Sequence, residues 1–155
     1  MQFVHLGIHT EFSITESIVR IPDLIKSALK EDMPALAMTD LSNLHAAVKF
    51  YSKCLDKGIK PILGSNIRLN DASHRVSLLA MNNSGWRSLT EIVSRGFIEG
   101  QQLSIPCVQK EWVLEQGADL IVMLGMNSDV GEMLCSGHPQ KAEPLLEAWV
   151  EKFGN

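Results

Sequence analysis

Apolar and polar positions fall into short blocks along this chain, and the block lengths predict strands and helices in alternation. Phe3 to Ile8 has the length and make-up of a strand, on which His5, Gly7 and His9 project to one side and Leu6 and Ile8 to the other. Ile21, Leu24, Ile25, Ala28 and Leu29 recur at helical spacing, with Pro22 and Asp23 in the first turn and Met33-Pro34 ending the segment. Ala35 to Thr39 is continuously apolar, which predicts a strand covered on both faces and ending at Asp40. Ser42 or Asn43 stands where a cap for the next helix is needed, and Leu44, Ala47, Val48, Tyr51 and Leu55 form its predicted stripe, closed by Gly58.

Lys60 to Leu69 follows as a third strand, interrupted by Gly64, a residue that marks a bulge or a close approach. Asn70 to Ser73 is a polar turn, and Arg75 to Met81 predicts a strand paired with the one before it. A helix through Trp86, Leu89, Ile92 and Val93 comes next, then a surface loop from Gly96 to Pro106 and a short helix from Gln109 to Gln116. Leu120 to Gly125 is a further buried strand, and helices near Asp129–Cys135 and Pro139–Phe153 finish the chain. About five strands alternating with helices imply a parallel α/β layout, an open sheet or a barrel. A closed barrel takes more chain than this, and an amphipathic helix at the end, where another strand is due, favours a barrel that is incomplete.

Composition narrows the function classes. The chain has 155 residues, 45% hydrophobic and 21% charged, enough for one domain with a real core. A formal charge of -4 argues against direct nucleic-acid binding, which needs a concentrated basic face. Cys54, Cys107 and Cys135 form no CxxC pair and read as reduced, packed thiols. No leader pattern and no apolar run of membrane-spanning length is present, so a cytoplasmic location is expected.

Candidate chemistry gathers at the start. Histidines at the end of a strand, followed by Thr10, Glu11, Ser13 and Glu16, are what a metal-dependent hydrolase sets at the mouth of an α/β barrel, although Gly7 ligates nothing. Thr10 and Ser13 have no His-Asp relay at a recognisable spacing, so a serine hydrolase is not indicated. His5 is expected to be a packed or strand-end residue, His45 and His138 exposed, and His74 part of a polar turn. Trp86, Trp112 and Trp149 lie on apolar helix faces and are expected in the core.

The opening stretch, the segment Pro34-Ala-Leu-Ala-Met-Thr-Asp40-Leu-Ser-Asn43-Leu44, and Gly58-Ile-Lys-Pro-Ile-Leu-Gly64 together resemble the amino-terminal PHP (polymerase and histidinol phosphatase) domain of bacterial DNA polymerase III alpha subunits. The likeness continues through Leu79 to Trp86 and Leu120 to Gly125 and so covers essentially the whole chain. It implies a distorted (β/α)7, TIM-like barrel of which residues 1–155, a single PHP domain, are the first half to two-thirds.

Active members of the family bind up to three metal ions and hydrolyse phosphoesters. Carried over position by position, His9 keeps one ligand of the first motif while Gly7 replaces the other, Glu16 stands for the acid that follows, and Asp40 survives beside Leu41, which replaces a histidine. Asn66 stands for a glutamate, Arg75 for a histidine and Met126 for a cysteine or histidine. Metal clusters need several convergent imidazoles and carboxylates. The expectation is therefore a degenerate site with vestigial His9, Glu16 and Asp40, in which His9 and Asp40 share a hydrogen bond, and with no bound metal or other cofactor. The resemblance implies a non-catalytic scaffold inside the replicative polymerase, whose partners are the remainder of that chain and the proofreading exonuclease subunit. The alternative is a zinc- or manganese-dependent phosphoesterase or intrinsic 3'-5' exonuclease. Open barrel edges would also favour self-association.

Overall fold

The computed structural model describes residues 3–70 and 73–154. Among the described residues six helices, α1 (Ile21–Lys30), α2 (Ala47–Asp56), α3 (Asn83–Ile98), α4 (Lys110–Gln116), α5 (Asp129–Cys135) and α6 (Pro139–Phe153), are interleaved with six strands. The strands are β1 (Ala35–Leu41), β2 (Lys60–Leu69), β3 (His74–Ala80), β4 (Gln101–Gln102), β5 (Ile105–Pro106) and β6 (Leu120–Leu124). The main sheet runs β1-β2-β3-β6, and β4 and β5 form a separate ribbon. The fold is thus mixed α/β around a sheet with one parallel pair.

That pairing corrects the parallel layout expected from the sequence. Only β1 and β2 are parallel; β3 is antiparallel to β2 and β6 is antiparallel to β3. Only four residues separate Leu69 of β2 from His74 of β3, too few for a crossover helix, so β3 must return as a hairpin strand; Asp71 and Ala72 of the expected polar turn lie outside the described residues. β6 then lies at the edge of the main sheet, and Ile121 is 47% exposed rather than buried.

Local signals explain most of the elements. α1 carries its proline in the first turn and buries Ile21, Ile25 and Ala28. β1 is buried along all seven residues, as its unbroken apolar run requires. Asn82 caps α3, its side chain accepting from the amides of Ser84 at 2.8 Å and Gly85 at 3.0 Å. Gly64 marks a close approach: a Cβ there would lie 2.4 Å from the Leu78 carbonyl oxygen and 2.5 Å from Leu79 Cδ2.

Several expectations fail for tertiary reasons. Phe3 to Ile8 is extended but is not a regular strand. The carbonyls of His5 and Ile8, three residues apart, accept from the amides of Ala37 and Thr39, two apart, so one residue is in excess and the alternation that set His5, Gly7 and His9 on one face is lost. His5 is exposed, its ring edge-on to Phe3 at 4.7 Å. α2 buries Ala47, Phe50 and Cys54, while Val48, Tyr51 and Leu55 of the predicted stripe face outward. Neither Ser42 nor Asn43 caps that helix. Asn43 Oδ1 accepts from the His45 amide at 3.1 Å, and Ser42, at φ 50°, accepts from the Arg68 amide. The predicted Gly96–Pro106 loop contains the end of α3 and the β4–β5 ribbon, whose two-residue turn puts Leu103 and Ser104 at φ 50° and 66°. Cys54 and Cys107 are buried, but Cys135 is exposed. No helix among the described residues is long and apolar enough to cross a membrane.

The two faces of the sheet differ. Leu36, Met38, Ile67, Leu69, Val76, Leu78 and Leu120 pack against the helices in two apolar clusters, both touched by Leu44 and Trp86. On the opposite face Asn66, Ser77 and Met123 stand in one register row across β2, β3 and β6.

Candidate functional site

At the end of that row lies a cleft of about 340 Å³, lined by His9, Glu16, Asn66, Arg75, Ser77, Met126 and neighbours in the segment after β6. Strand alternation positions its floor. Leu41, Asn66, Ser77 and Met123 are successive register partners and so project to the same side. The loop after the N-terminal segment folds over this floor and brings Glu16 opposite Arg75.

Glu16 is the hub of the cleft. Nη1 of Arg75 lies 2.8 Å from Glu16 Oε1 and donates to Oε2 at 2.9 Å, so both carboxylate oxygens meet the guanidinium. His9 Nδ1 is 3.4 Å from Glu16 Oε2. The three side chains are about one-quarter exposed, so the Glu16–Arg75 pair is only partly screened by solvent. Asn66 Nδ2 donates to Ser77 Oγ at 2.8 Å.

Asp40 is elsewhere. It is paired in register with Ser65 and therefore points to the helix-covered face, where it is fully buried. Oδ1 accepts from the Thr10 amide at 2.6 Å and from Ser13 Oγ at 2.7 Å, while Oδ2 accepts from Thr10 Oγ1 at 2.7 Å. Ser13 Oγ in turn accepts from the Leu41 amide at 2.9 Å. The expected His9–Asp40 hydrogen bond is therefore replaced by two separate pairings, His9 with Glu16 and Asp40 with Thr10 and Ser13.

Of the positions singled out in the sequence, the fold brings His9, Glu16, Asn66, Arg75 and Met126 to one cleft. Gly7 is exposed, with open space where a Cβ would stand, and Leu41 is buried beside Asn66 without lining the opening. Ser77 and Asn127 also line the cleft, and sequence reasoning missed both. The pairing of β2 with β3 could have found Ser77, which stands opposite Asn66, but no local signal marks Asn127. His74 lies in β3 rather than in the turn, with Nε2 2.5 Å from Glu132 Oε2. His45 and His138 are exposed as expected, and Trp149 is buried. Among the described residues no group of three or more His, Cys, Asp or Glu side chains is placed to hold a metal ion.

Comparison with known proteins gives this arrangement its ancestry. The DNA polymerase III subunit alpha of Pseudomonas aeruginosa is 42% identical over 159 residues, a match covering 99% of this chain and 14% of the relative. The subunit of Pseudomonas fluorescens is 40% identical, with 97% and 13% covered, and that of Escherichia coli K12 is 33% identical, with 98% and 14% covered. The chain thus spans about one-seventh of the length of these relatives. Among solved structures, an amidohydrolase from Chromobacterium violaceum with bound sulfate and no metal aligns at a TM-score of 0.47 and 15% identity, over 90% of this chain and 48% of the other. The PHP domain family matches residues 5–155, and the chain belongs to that family.

Proposed function

We propose that the chain is the PHP portion of a bacterial replicative DNA polymerase alpha subunit and works there as a non-catalytic scaffold, in the cytoplasm, docking the proofreading exonuclease subunit and abutting the remainder of the polymerase chain. The relatives named DNA polymerase III subunit alpha support the parentage. A main sheet that stops at β6, whose Ile121 is exposed at the edge, supports an incomplete, distorted (β/α)7 TIM-like barrel.

One observation carries the scaffold reading: the Arg75 guanidinium holds both oxygens of Glu16 in the cleft where the family's ligand positions meet. The donor set does not fit a metal cluster. A zinc site takes at least three protein ligands and hard cations take several oxygens, yet here Arg75 is a competing cation, Asn66 donates to Ser77, and Met126 is a weak thioether donor. Asp40, the other carboxylate, faces away with its oxygens occupied. The cleft can hold an ion-pair cross-link between the loop at Glu16 and β3, which is a structural role.

Elemental analysis of the purified chain, together with hydrolysis of a chromogenic phosphoester in added zinc or manganese, tests the reading. Substoichiometric metal and no hydrolysis are expected. The competing phosphoesterase reading is favoured by the surviving His9–Glu16 contact; stoichiometric metal with hydrolysis lost in Glu16→Ala would establish it and overturn the scaffold. Sedimentation with the purified exonuclease subunit checks docking: a stable complex is expected, and independent sedimentation of the two would remove that part of the proposal.

A further inference from the structure

The two edges of the main sheet are finished differently. At β1 the N-terminal segment lies alongside, the carbonyls of His5 and Ile8 accepting from the amides of Ala37 and Thr39. At the other edge lies β6, Leu120-Ile-Val-Met-Leu124, with no charged residue, proline or glycine along it. Such residues, or a covering segment, are what keep an edge from pairing with another chain. Ile121 is 47% exposed and Met123 is partly exposed.

The hydrogen-bond phase of β6 fixes what this edge can accept. The Met81 amide donates to the Asp119 carbonyl at 3.0 Å, continuing the register in which Ala80 faces Leu120 and Leu79 faces Ile121. In an antiparallel pair alternate residues turn their backbone groups toward the neighbour. Asp119, Ile121 and Met123 therefore face β3, while Leu120 and Val122 face outward. The Leu120 amide bears this out, turning to the Gly117 carbonyl at 3.3 Å. No other strand among the described residues pairs with β6 on that side, which leaves the amide and carbonyl of Val122 open.

We propose that β6 of one copy of this chain pairs antiparallel with β6 of a second copy, across a two-fold axis at Val122. Val122 is the middle residue of the strand, and its outward amide and carbonyl then bond the carbonyl and amide of the second copy's Val122. Leu120 comes opposite Leu124, and Ile121 comes opposite Met123 at the closely spaced positions where side chains touch, apolar on apolar in both cases. A two-fold pairing gathers like charges wherever its strand is charged, and β6 carries none. At the ends Asp119 meets Gly125, where open space surrounds the position of a Cβ. Each of these matches is to the strand's own sequence, which identifies a second copy as the occupant. The contact is isologous and closed, so it stops at a dimer, and it does not rest on the scaffold reading.

Sedimentation of the 155-residue chain from about 10 μM to about 1 mM, a range suited to so small a contact, should show a monomer–dimer equilibrium and no larger species. Amide hydrogen exchange over Leu120–Leu124, compared across the same range, should slow at least about fivefold as dimer forms, because the Val122 amide gains a partner. Val122→Pro removes the outward amide without removing a bond to β3, and Ile121→Lys sets a charge in the exposed row. Each should weaken association at least about tenfold while the far-ultraviolet circular dichroism stays that of the parent chain. Should Val122→Pro fail to fold, Ile121→Lys decides alone, since its side chain is already half in water. A chain that is monomeric throughout, species larger than a dimer, exchange unchanged in the dimer, or undiminished association in Ile121→Lys would each overturn the proposal.

Discussion

The two faces of the main sheet were built for different neighbours. The helix-covered face is paved with Leu36, Met38, Ile67, Val76 and Leu78, each essentially sealed from water. The other face holds Asn66, Ser77 and Met123 in one row, with Arg75 near its end, and Ile121 stands half in water. A hydrophobic strand face needs cover, and the helices supply it on the first side, while on the second Leu79, Ala37 and Thr39 are sealed and the row at Asn66 and Ser77 is only partly so. Polar residues persist on the side where the cleft lies, and there they pair with one another instead of with a substrate or a metal. Even Asp40 follows this division: facing the covered side, it has become a buried hub for the backbone and hydroxyls of the N-terminal loop.

The largest test of that contrast is Asp40→Ala. It strips a buried carboxylate from three donors, and a loss of about 3–5 kcal/mol in urea-measured stability is expected. A loss below about 1 kcal/mol would mean that the hub is not structural. Next comes a pair of truncations across the sheet. Leu78→Ala should cost about 3 kcal/mol by loss of packing, and Ile121→Ala, on the exposed edge, under about 1 kcal/mol; equal costs would erase the distinction between the faces. Gly64→Ala should cost about 1–3 kcal/mol, because the added methyl meets the Leu78 backbone carbonyl, which has little freedom to withdraw.

The cleft predicts a smaller change. Arg75→Ala should lower stability by about 1 kcal/mol or less, since the pair with Glu16 is partly exposed, and the loss should shrink as salt is added. A loss as large as that of Asp40→Ala would make the ion pair a principal support of the fold.

The smallest expected effect concerns Cys54. Burial lifts its thiol from an ordinary 9.0 to about 11. The unfolded chain therefore loses this proton first, so the contribution is intact below pH 9 and is lost as pH rises toward 11. At neutral pH a thiol reagent should modify exposed Cys135 rapidly and leave Cys54 protected until the chain unfolds. Equal rates in the native protein would contradict the sealed packing beneath α2.

Elements governed by short-range chemistry were legible in the sequence. Pro22 starts α1, and the unbroken apolar run from Ala35 makes a fully buried strand. Of the positions carried by family resemblance, His9, Glu16, Asn66, Arg75 and Met126 line one cleft, whereas Asp40, Gly7 and Leu41 do not. The side of α2 that is buried was not legible, because apolar residues run down two neighbouring faces, 47/50/54 and 48/51/55, and periodicity weighs them equally. Packing against β1 selects the face with Phe50.

What the amino-acid order determined by itself was the succession of strands and helices from α1 onward, the β4–β5 ribbon excepted, and the residues able to do chemistry, since turns and periodicity act within a few positions. Only the tertiary structure decided the antiparallel return of β3 and β6, the outward turn of Val48 and Tyr51, and the partners of the charged groups. Glu16 and Arg75 are 59 residues apart, and Asp40 and Thr10 are 30 apart. Pairings at such separations are set by which face each strand offers and by the desolvation cost of leaving a buried charge alone, and neither quantity is written in a local stretch of chain.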